Sequence, residues 1–368
     1  MNKKTLFILI NSMESGGAER MISYISLHFS KKYNVKLILL KNALFYDISK
    51  NVSVIPLSNI KYNLLLFLLI PMYIFKLRAL IKKYKPYKII SFLEIANFVN
   101  ILSNKNAIIC FCISLPFFTG TFVKKIYRFL IILLYPHAKK IVVNSIENAI
   151  DVTRILNIPT KKVHTIYNPI DTQKVRLDAT RKINTQNIPS NKTTFITIGR
   201  LDDQKRTLIL VELFAKSPPT NSILLIIGDG VNRMKLANMI KQNNLEDTVF
   251  LLGTKKNVFP YLKYADFFIF SSIVEGFPNV LMEAMSCNLP IITSDFKTGA
   301  REIIDTQLKY NTTINYPYYG PNGVLLSVDN FVNDFKKVNL KEITQHQKGI
   351  EKFDIKNTLR QWENIISK

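Results

Sequence analysis

The sequence predicts an α/β protein built from two doubly wound domains that face each other across a cleft. Strand-like apolar runs alternate with helical patterns along the chain, they fall into two sets, and a polar stretch separates the sets. Each set has enough strands for a Rossmann-like sheet. The predicted strands are Leu6–Ile10, Val35–Leu40, Ile89–Ser91, Ile108–Cys112 and Ile141–Val143, then Thr194–Ile198, Ser222–Ile227, Val249–Leu252, Phe267–Phe270 and Ile291–Ser294.

The length and composition of the chain fit this division. Hydrophobic residues make up 48% of its 368 residues, which is enough for two cores and too many for a disordered chain. The polar stretch from Arg176 to Lys192 is the predicted linker. We expect two domains, over residues 1–176 and 177–345. A helical tail, residues 346–368, follows them and is a candidate to cross back to the first domain.

The charge of the chain is unevenly distributed. The formal net charge is +24, of which residues 1–176 carry +19 and residues 177–368 carry +5. This asymmetry indicates a polyanionic partner for the first half, either nucleic acid or an anionic membrane. The chain has no zinc-finger, RNP or basic-zipper pattern, so nucleic acid is not expected as a partner.

Two apolar stretches with basic neighbours favour an anionic membrane as the polyanionic partner. Residues 62–75 are strongly apolar and precede five basic residues before position 86, and residues 122–135 combine three basic side chains with an apolar run. Transmembrane helices need about 20 apolar residues, so both stretches fit interfacial helices better. The alternative interpretation is that both are core helices of an α/β domain.

The cysteines and histidines suggest no metal site. The three cysteines lack metal-ligand spacing and no two histidines are four residues apart. Unpaired cysteines of this kind are typical of a reducing compartment. Together with the basic stretches, they predict a cytoplasmic protein bound peripherally to the inner face of the cell membrane.

The most specific chemical signal is a pair of carboxylates, Glu275 and Glu283. A strand-like run precedes them, and the turn Gly276-Phe277-Pro278-Asn279 leads into a helical pattern. The N-terminus of a helix offers free N–H groups to a diphosphate, and carboxylates there can bind sugar hydroxyls. Acidic residues in a first helical turn are also common because they stabilise the helix dipole.

Two basic residues follow the first strand of the second half. Arg200 and Lys205 lie in a loop at the carboxyl end of that strand, where open α/β sheets bind ligands. Two cations there can hold a diphosphate as it leaves. Solvated surface charge is the alternative.

Several glycine-containing turns are weaker candidates. Gly16 and Gly17 follow the first strand, where they would let the backbone approach a phosphate or an acceptor. Gly228 ends another strand, and Thr298 with Gly299 precedes a helical pattern, so that free N–H groups would face the phosphates. An ordinary turn explains the first two sites equally well, and a helix cap explains the third.

Together these motifs resemble the retaining family-4 glycosyltransferases of GT-B fold. The resemblance spans nearly the whole chain, and its narrower part is similar to enzymes that add N-acetylgalactosamine to undecaprenyl-diphosphate-linked oligosaccharides. The motifs of the family are Ser15-Gly16-Gly17-Ala18-Glu19-Arg20, Asn168-Pro169-Ile170-Asp171, Gly199-Arg200-Leu201 with Lys205, Gly228-Asp229-Gly230, and Glu275 with Glu283; those of the narrower group are Ser91-Phe92-Leu93-Glu94, Leu134-Tyr135-Pro136 and Thr298-Gly299-Ala300-Arg301-Glu302.

The resemblance implies a role for each site. Arg200 and Lys205 would bind the diphosphate of a UDP-sugar, Glu283 the ribose, and Glu275 with the turn after it the donor sugar. The acceptor would be an undecaprenyl-diphosphate-linked saccharide in bacterial surface-glycan synthesis, bound near Gly16 and Gly17. Relatives carry a histidine or glutamate after the fourth strand, where this chain has Cys112-Ile113-Ser114-Leu115-Pro116. Glu94 is the alternative acid or base, and it joins Gly16 and Gly17 as a candidate of the acceptor or phosphate loop.

The resemblance also implies a mechanism. Transfer would retain the anomeric configuration by a front-face route assisted by the leaving phosphate. Neither a metal nor a cofactor would be needed, since the two cations neutralise the diphosphate and the UDP-sugar is a substrate. Two alternatives stay open: a UDP-sugar epimerase of the same fold, and a membrane-bound assembly partner whose site is degenerate, as Ser114 suggests.

Overall fold

The computed structural model describes residues 3–14, 16–60, 64–113, 118, 120–183, 188–189 and 191–367. The chain divides into two compact units, an N-terminal unit of Met1–Pro169 with Lys356–Lys368 and a C-terminal unit of Ile170–Ile355. Each unit is organised around its own sheet. The predicted pair of Rossmann-like domains is confirmed.

The N-terminal unit contains a parallel sheet with helices between its strands. Its strands are β1 (Thr5–Ile10), β2 (Asn34–Leu39), β3 (Ser53–Pro56), β4 (Lys88–Phe92), β5 (Ile108–Phe111), β6 (Lys140–Val143) and β7 (Val163–Thr165). They lie in the order β3-β2-β1-β4-β5-β6-β7, and each neighbouring pair is parallel. The helices are α1 (Gly17–Ser30), α2 (Leu64–Leu68), α3 (Ile70–Tyr84), α4 (Glu94–Ser103), α5 (Phe122–Leu134) and α6 (Ile146–Ile155).

The C-terminal unit repeats this plan with one antiparallel edge strand. Its strands are β8 (Thr193–Ile198), β9 (Ser222–Ile227), β10 (Val249–Gly253), β11 (Phe267–Phe270), β12 (Ile291–Ser294), β13 (Tyr318–Gly320) and β14 (Gly323–Leu326). They lie in the order β10-β9-β8-β11-β12-β14-β13, and only β13 runs antiparallel to its neighbour. The helices are α7 (Thr172–Asp178), α8 (Thr207–Lys216), α9 (Arg233–Gln242), α10 (Phe259–Tyr264), α11 (Asn279–Ser286), α12 (Ala300–Ile304) and α13 (Phe331–Phe335).

All ten predicted strands are present, and the described residues contain four further strands that the sequence did not predict. The missed strands are β3, β7, β13 and β14, each of three or four residues. Three of them lie at an edge of a sheet, where half-burial removes the continuous apolar run that marks a central strand. By contrast, the last five residues of β1 are all buried, because elements cover both faces of that strand.

The domain boundary lies earlier than predicted. The chain passes into the C-terminal unit at Ile170 rather than at residue 177, because Ile170 pairs with Asp354 as a parallel bridge and α7 packs against α10 and α11. Consequently, residues 346–355 belong to the C-terminal unit instead of the tail. The last helix, α14 (Ile355–Ser367), returns to the N-terminal unit, where Trp362 packs on Phe92.

The two apolar stretches of the sequence form helices of the N-terminal unit. Residues 64–84 form α2 and α3, which are separated at Leu69, and Pro71 lies in the first turn of α3 where a missing N–H costs nothing. Residues 122–134 form α5. Within the described ranges, no helix combines the length and the apolar character that crossing a bilayer requires.

Candidate active site

The order of the strands reverses at one point in each sheet, and the candidate site residues lie there. In open parallel sheets, ligands bind outside the carboxyl ends of the strands where the order reverses. In the C-terminal unit this point lies between β8 and β11. Lys205 follows β8 and Glu275 follows β11, which places both at the same edge of the sheet.

Lys205 and Glu275 form an ion pair at that edge. The Nζ atom of Lys205 lies 2.6 Å from Oε1 of Glu275, and only 15% and 10% of the two side chains are exposed. The hydroxyl group of Ser272 donates a hydrogen bond to the same oxygen, and the ammonium group lies 5.0 Å from the centre of the Phe270 ring. A charge-assisted pair in such low exposure is held in one geometry before any ligand binds.

Arg200 is placed differently from Lys205. Its side chain is 70% exposed, and it lies 3.2 Å from the carboxylate of Asp202. An exposed pair of this kind is worth little free energy and is easily rearranged. Arg200 can therefore turn toward an anion at the end of β8 without leaving a buried charge behind.

Glycine brings two loops of this edge into direct backbone contact. The N–H of Leu201 donates to the carbonyl of Asp229, which joins the loop after β8 to the loop after β9. At Gly228 the backbone has φ +144°, and a Cβ atom would lie 1.8 Å from the carbonyl oxygen of Gly199. Only glycine fits there, so Gly228 shapes the loop that carries Arg200.

The turn after Glu275 is tied to the loop after β12 by Thr298. The N–H of Glu275 donates to the carbonyl of Lys297, and the Thr298 hydroxyl donates to the carbonyls of Glu275 and Gly276. Thr298 is completely buried, so its hydroxyl positions the turn. Gly299 has φ +94°, and a Cβ there would lie 2.8 Å from the ring of Phe277.

Glu283 lies deeper in its helix than the sequence indicated. Helix α11 begins at Asn279 after Pro278, so Glu283 is its fifth residue and lies in the second turn instead of the first. Its side chain is buried. The first turn of α11 leaves its N–H groups without a side-chain cap from Pro278, which is the feature that suits an anion.

A hydrogen-bond network that the sequence did not predict fixes the loop after β12. Arg301 donates two hydrogen bonds at 3.0 Å from Nε and one at 2.7 Å from Nη2 to the carboxylate of Asp295, and Tyr316 donates to the same carboxylate. These bonds raise the pKa of Arg301, and burial followed by the Asp295 contact raises that of Tyr316 to about 12. The position of Asp295 directly after a buried strand was the available signal.

In the N-terminal unit, Gly16 and Gly17 lie at the start of α1. Gly16 is the N-cap with an extended backbone, and its carbonyl accepts a hydrogen bond from the hydroxyl of Tyr46. A Cβ at Gly16 would come within 2.2 Å of the Glu19 carboxylate, which curls back over the turn. Burial raises the pKa of Glu19. The turn is thus compact, and its other proposed neighbour, Ser15, lies outside the described residues.

Glu94 lies at the point where the N-terminal sheet reverses, directly after β4. It is the first residue of α4, it is 7% exposed, and its Oε1 atom has no hydrogen-bond partner among the described residues. Burial raises the pKa of this carboxyl group to about 7, opposed in part by a hydrogen bond from its own backbone. Residues 114–116, which hold the other candidate position, lie outside the described ranges.

The site can neutralise an anion and bind hydroxyl groups. In the described part of the chain, no three His, Cys, Asp or Glu side chains are grouped as metal ligands. The cations at the end of β8, the uncapped start of α11 and the buried carboxylates suit a nucleoside diphosphate that carries a sugar. Two Rossmann-like domains with such a site define the class of GT-B glycosyltransferases.

Comparisons with known proteins identify the family. Residues 15–174 match the model described as Glycosyltransferase Family 4, and residues 178–312 match the model described as Glycosyl transferases group 1. The chain is 33% identical over 308 residues to a Campylobacter jejuni N-acetylgalactosamine-N,N'-diacetylbacillosaminyl-diphospho-undecaprenol 4-alpha-N-acetylgalactosaminyltransferase, which covers 81% of this chain and 82% of the relative. The protein belongs to the glycosyltransferase family that these two models describe.

Two further similarities extend over almost the entire chain. A second Campylobacter jejuni enzyme, a GalNAc-alpha-(1->4)-GalNAc-alpha-(1->3)-diNAcBac-PP-undecaprenol alpha-1,4-N-acetyl-D-galactosaminyltransferase, is 24% identical and covers 98% of this chain and 97% of its own. The crystal structure of Anabaena HepE in complex with UDP superposes with a TM-score of 0.73 at 18% identity, covering 99% of each chain. That last similarity concerns the fold.

Proposed function

We propose that the protein is a retaining glycosyltransferase that moves a hexose or N-acetylhexosamine from a UDP-sugar to an undecaprenyl-diphosphate-linked saccharide. N-acetylgalactosamine is the proposed sugar, because both Campylobacter relatives are named for its transfer to undecaprenol-linked saccharides. The product would belong to a bacterial surface glycan, such as an O-antigen, a capsule or a glycoprotein glycan. The observation that carries the proposal is the Lys205–Glu275 pair at the reversal point of the C-terminal sheet.

The donor would bind at this edge of the C-terminal unit. Lys205 and Arg200 would neutralise the diphosphate, and the N–H groups at the start of α11 would add hydrogen bonds to it. Glu275 and the turn from Gly276 to Pro278 would contact the sugar, and Glu283 the ribose. Once Lys205 turns to the phosphate, the Glu275 carboxylate becomes available to sugar hydroxyls.

The same arrangement supports a reaction without a metal or another cofactor. Two cations beside the departing diphosphate supply the electrostatic stabilisation that a divalent ion gives in other transferases. UDP-sugars are α-glycosides, and both relatives are named for α-linked products. Transfer would therefore retain the configuration, with the acceptor hydroxyl attacking on the face that the leaving phosphate occupies.

A donor screen tests the proposal. The purified protein is incubated with each of several UDP-sugars and a crude pool of lipid-linked saccharides, with and without EDTA, and the release of UDP is measured. We expect acceptor-dependent release with UDP-N-acetylgalactosamine that EDTA leaves unchanged. Epimerised sugar without acceptor, or binding of UDP with no transfer to any acceptor, would contradict a transferase. Loss of turnover with EDTA would contradict the metal-free mechanism.

We also propose that α5 holds the protein on an anionic membrane. Its inner side packs on the core through Ile131 and Tyr127, but Phe122 is 77% exposed and Phe129 is 63% exposed. Lys125 lies on the same helix, and Phe67 of α2 contacts Tyr127, which brings exposed Leu68 to the neighbourhood of α5. A large apolar surface beside basic side chains, in the half of the chain with net charge +19, suits the interface of an anionic bilayer.

Sedimentation with liposomes tests the membrane proposal. We expect the wild-type protein to bind vesicles with anionic lipid more tightly than neutral vesicles, because basic side chains near the surface each contribute roughly 1 kcal/mol. The double variant Phe122→Ser/Phe129→Ser should lose most of this binding. Val231→Ser is the matched control, since Val231 is 85% exposed but lies in the C-terminal unit. Equal binding to both kinds of vesicle would refute the electrostatic part.

A further inference from the structure

The reversal point of the N-terminal sheet holds a carboxyl group that no described residue neutralises. Glu94 is more than nine-tenths buried, and its Oε1 atom has no donor among the described residues. A buried oxygen without a hydrogen bond lowers the stability of the folded chain. Such an oxygen is therefore typical of places where a ligand or a water molecule supplies the missing hydrogen bond. Glu94 is therefore a candidate ligand group rather than a structural one.

The surroundings of Glu94 place it at the same edge of the sheet as the glycine turn of α1. The side-chain oxygen of Asn11, directly after β1, accepts a hydrogen bond at 3.1 Å from the N–H of Ala96 in the first turn of α4. The ends of β1 and β4 are neighbours in the sheet, where Ile10 pairs with Phe92. The carboxyl group thus lies at the ligand-binding edge, after the strand next to the one that leads to Gly16.

Burial causes the weak acidity of Glu94, and several titratable groups lie near its carboxyl group. Cys112 after β5, Tyr127 of α5 and Tyr135 all interact electrostatically with its carboxylate, and Glu19 of α1 adds negative charge near Cys112. None of these groups is a cation. Burial, followed by the charges of Glu94 and Glu19, raises the pKa of Cys112 to about 12. Glu94 itself has a pKa of about 7, so at neutral pH about half of the molecules carry it ionised and the rest carry it neutral.

We propose that Glu94 binds a hydroxyl group of the acceptor saccharide, with its Oε1 atom accepting a hydrogen bond from that hydroxyl. This inference rests on the proposed transferase function and assigns the acceptor-binding residue. A hydroxyl donates a stronger bond to a carboxylate than to a neutral carboxyl group. The acceptor therefore binds the ionised form preferentially, and by linkage its binding releases the proton that burial holds on Glu94.

The pH dependence of acceptor binding tests the proposal. For the wild-type protein, the KM for a water-soluble analogue of N-acetylgalactosaminyl-N,N'-diacetylbacillosaminyl diphosphate should fall about tenfold between pH 6 and pH 8, as Glu94 ionises. Glu94→Gln keeps the shape of the side chain but not its charge. It should raise this KM about tenfold at pH 8 and abolish the pH dependence, while the KM for the donor stays unchanged.

Calorimetry gives a readout that a structural role would not affect. At pH 7, titration of the same analogue in two buffers of different ionisation enthalpy should show release of about half a proton per wild-type molecule, and none for Glu94→Gln. Glu147→Gln is the matched control, since Glu147 also lies in the first turn of a helix after a strand. This control should behave like the wild-type protein.

The outcomes separate this inference from the proposed function. If the wild-type protein transfers sugar to the analogue and Glu94→Gln shows the same KM, pH profile and proton release, Glu94 does not bind the acceptor. If the wild-type protein binds UDP but neither binds nor glycosylates the analogue, the proposed acceptor class is wrong, and the assignment of Glu94 falls with it.

Discussion

The two reversal points of the molecule have the same topology and opposite electrostatics. Between β8 and β11, the carboxylate of Glu275 is paired with Lys205 and bonded by Ser272. Between β1 and β4, the carboxyl group of Glu94 has burial similar to that of Glu275, but its Oε1 atom has no hydrogen-bond partner in the described part of the chain. One edge carries a complete charge network, and the other carries a group that burial keeps partly neutral.

This difference indicates what each edge is prepared to bind. A paired cation can exchange its carboxylate for a phosphate, so the C-terminal edge is prepared for an anion. A carboxyl group without a cation repels phosphate once it ionises, but it accepts a hydrogen bond from a neutral hydroxyl. Under the proposed function, the donor diphosphate and the acceptor sugar would bind chemically distinct sites on two sheets of the same topology.

Removing the cation at the edge of the C-terminal sheet, Lys205, should have the largest effect on activity. Lys205→Ala is expected to lower kcat about 100- to 1000-fold, the usual effect of losing one charge-stabilising group, and to weaken UDP binding. It also leaves Glu275 buried and unpaired, which destabilises the protein by about 3 to 5 kcal/mol. Steady-state kinetics and UDP titration, at a temperature where circular dichroism shows a folded variant, measure both effects.

A second lysine provides the control for that experiment. Lys216 pairs with Glu212 at 2.7 Å, but it is exposed on α8. Lys216→Ala should change neither turnover nor stability appreciably, because exposed pairs contribute little. A folded Lys205→Ala variant with normal turnover and UDP affinity would remove the distinction between the two edges.

The buried carboxyl group of Glu94 should make the N-terminal unit less stable as the pH rises. The pKa of Glu94 is raised from 4.5 to about 7, so the folded chain binds more protons than the unfolded chain between these values. Stability therefore falls with increasing pH, by about 2 to 3 kcal/mol between pH 5 and pH 8. Glu94→Gln should remove most of this slope and be more stable than the wild-type protein at pH 8.

The single tryptophan allows the measurement to report on this unit alone. Trp362 is the only tryptophan in the sequence, and it is buried against Phe92 in the N-terminal unit. Urea unfolding followed by its fluorescence therefore reports the unit that contains Glu94. Glu147→Gln should keep the wild-type slope. An equal slope in Glu94→Gln would show that another group holds the proton.

The smallest expected effect concerns the turn after Glu275. Thr298→Val removes the hydroxyl that donates to the carbonyls of Glu275 and Gly276, at a cost of about 1 to 2 kcal/mol. The loosened turn should raise the donor KM several-fold, with less change in the acceptor KM. Thr293→Val is the control, since the hydroxyl of this buried threonine donates to Ser294 within the strand region. Equal donor KM values for the two variants would contradict the positioning role.

Local patterns predicted most of the fold and the positions of the candidate residues. Apolar runs located the central strands except β14, because burial on both faces requires such runs. Edge strands such as β3 and β13 have too few buried residues to leave a pattern. The start of α11 shifted Glu283 into the second turn, since Pro278 favours the position just before or at the beginning of a helix.

By itself, the sequence determined which residue types follow which strands, and therefore that Lys205, Glu275 and Glu94 lie at the carboxyl ends of strands. The tertiary structure alone decided their chemistry. Residues seventy positions apart, such as Lys205 and Glu275, become an ion pair only when β8 and β11 are neighbours. Glu94 becomes a weak acid only when the fold buries it, because desolvation depends on what surrounds a group in space.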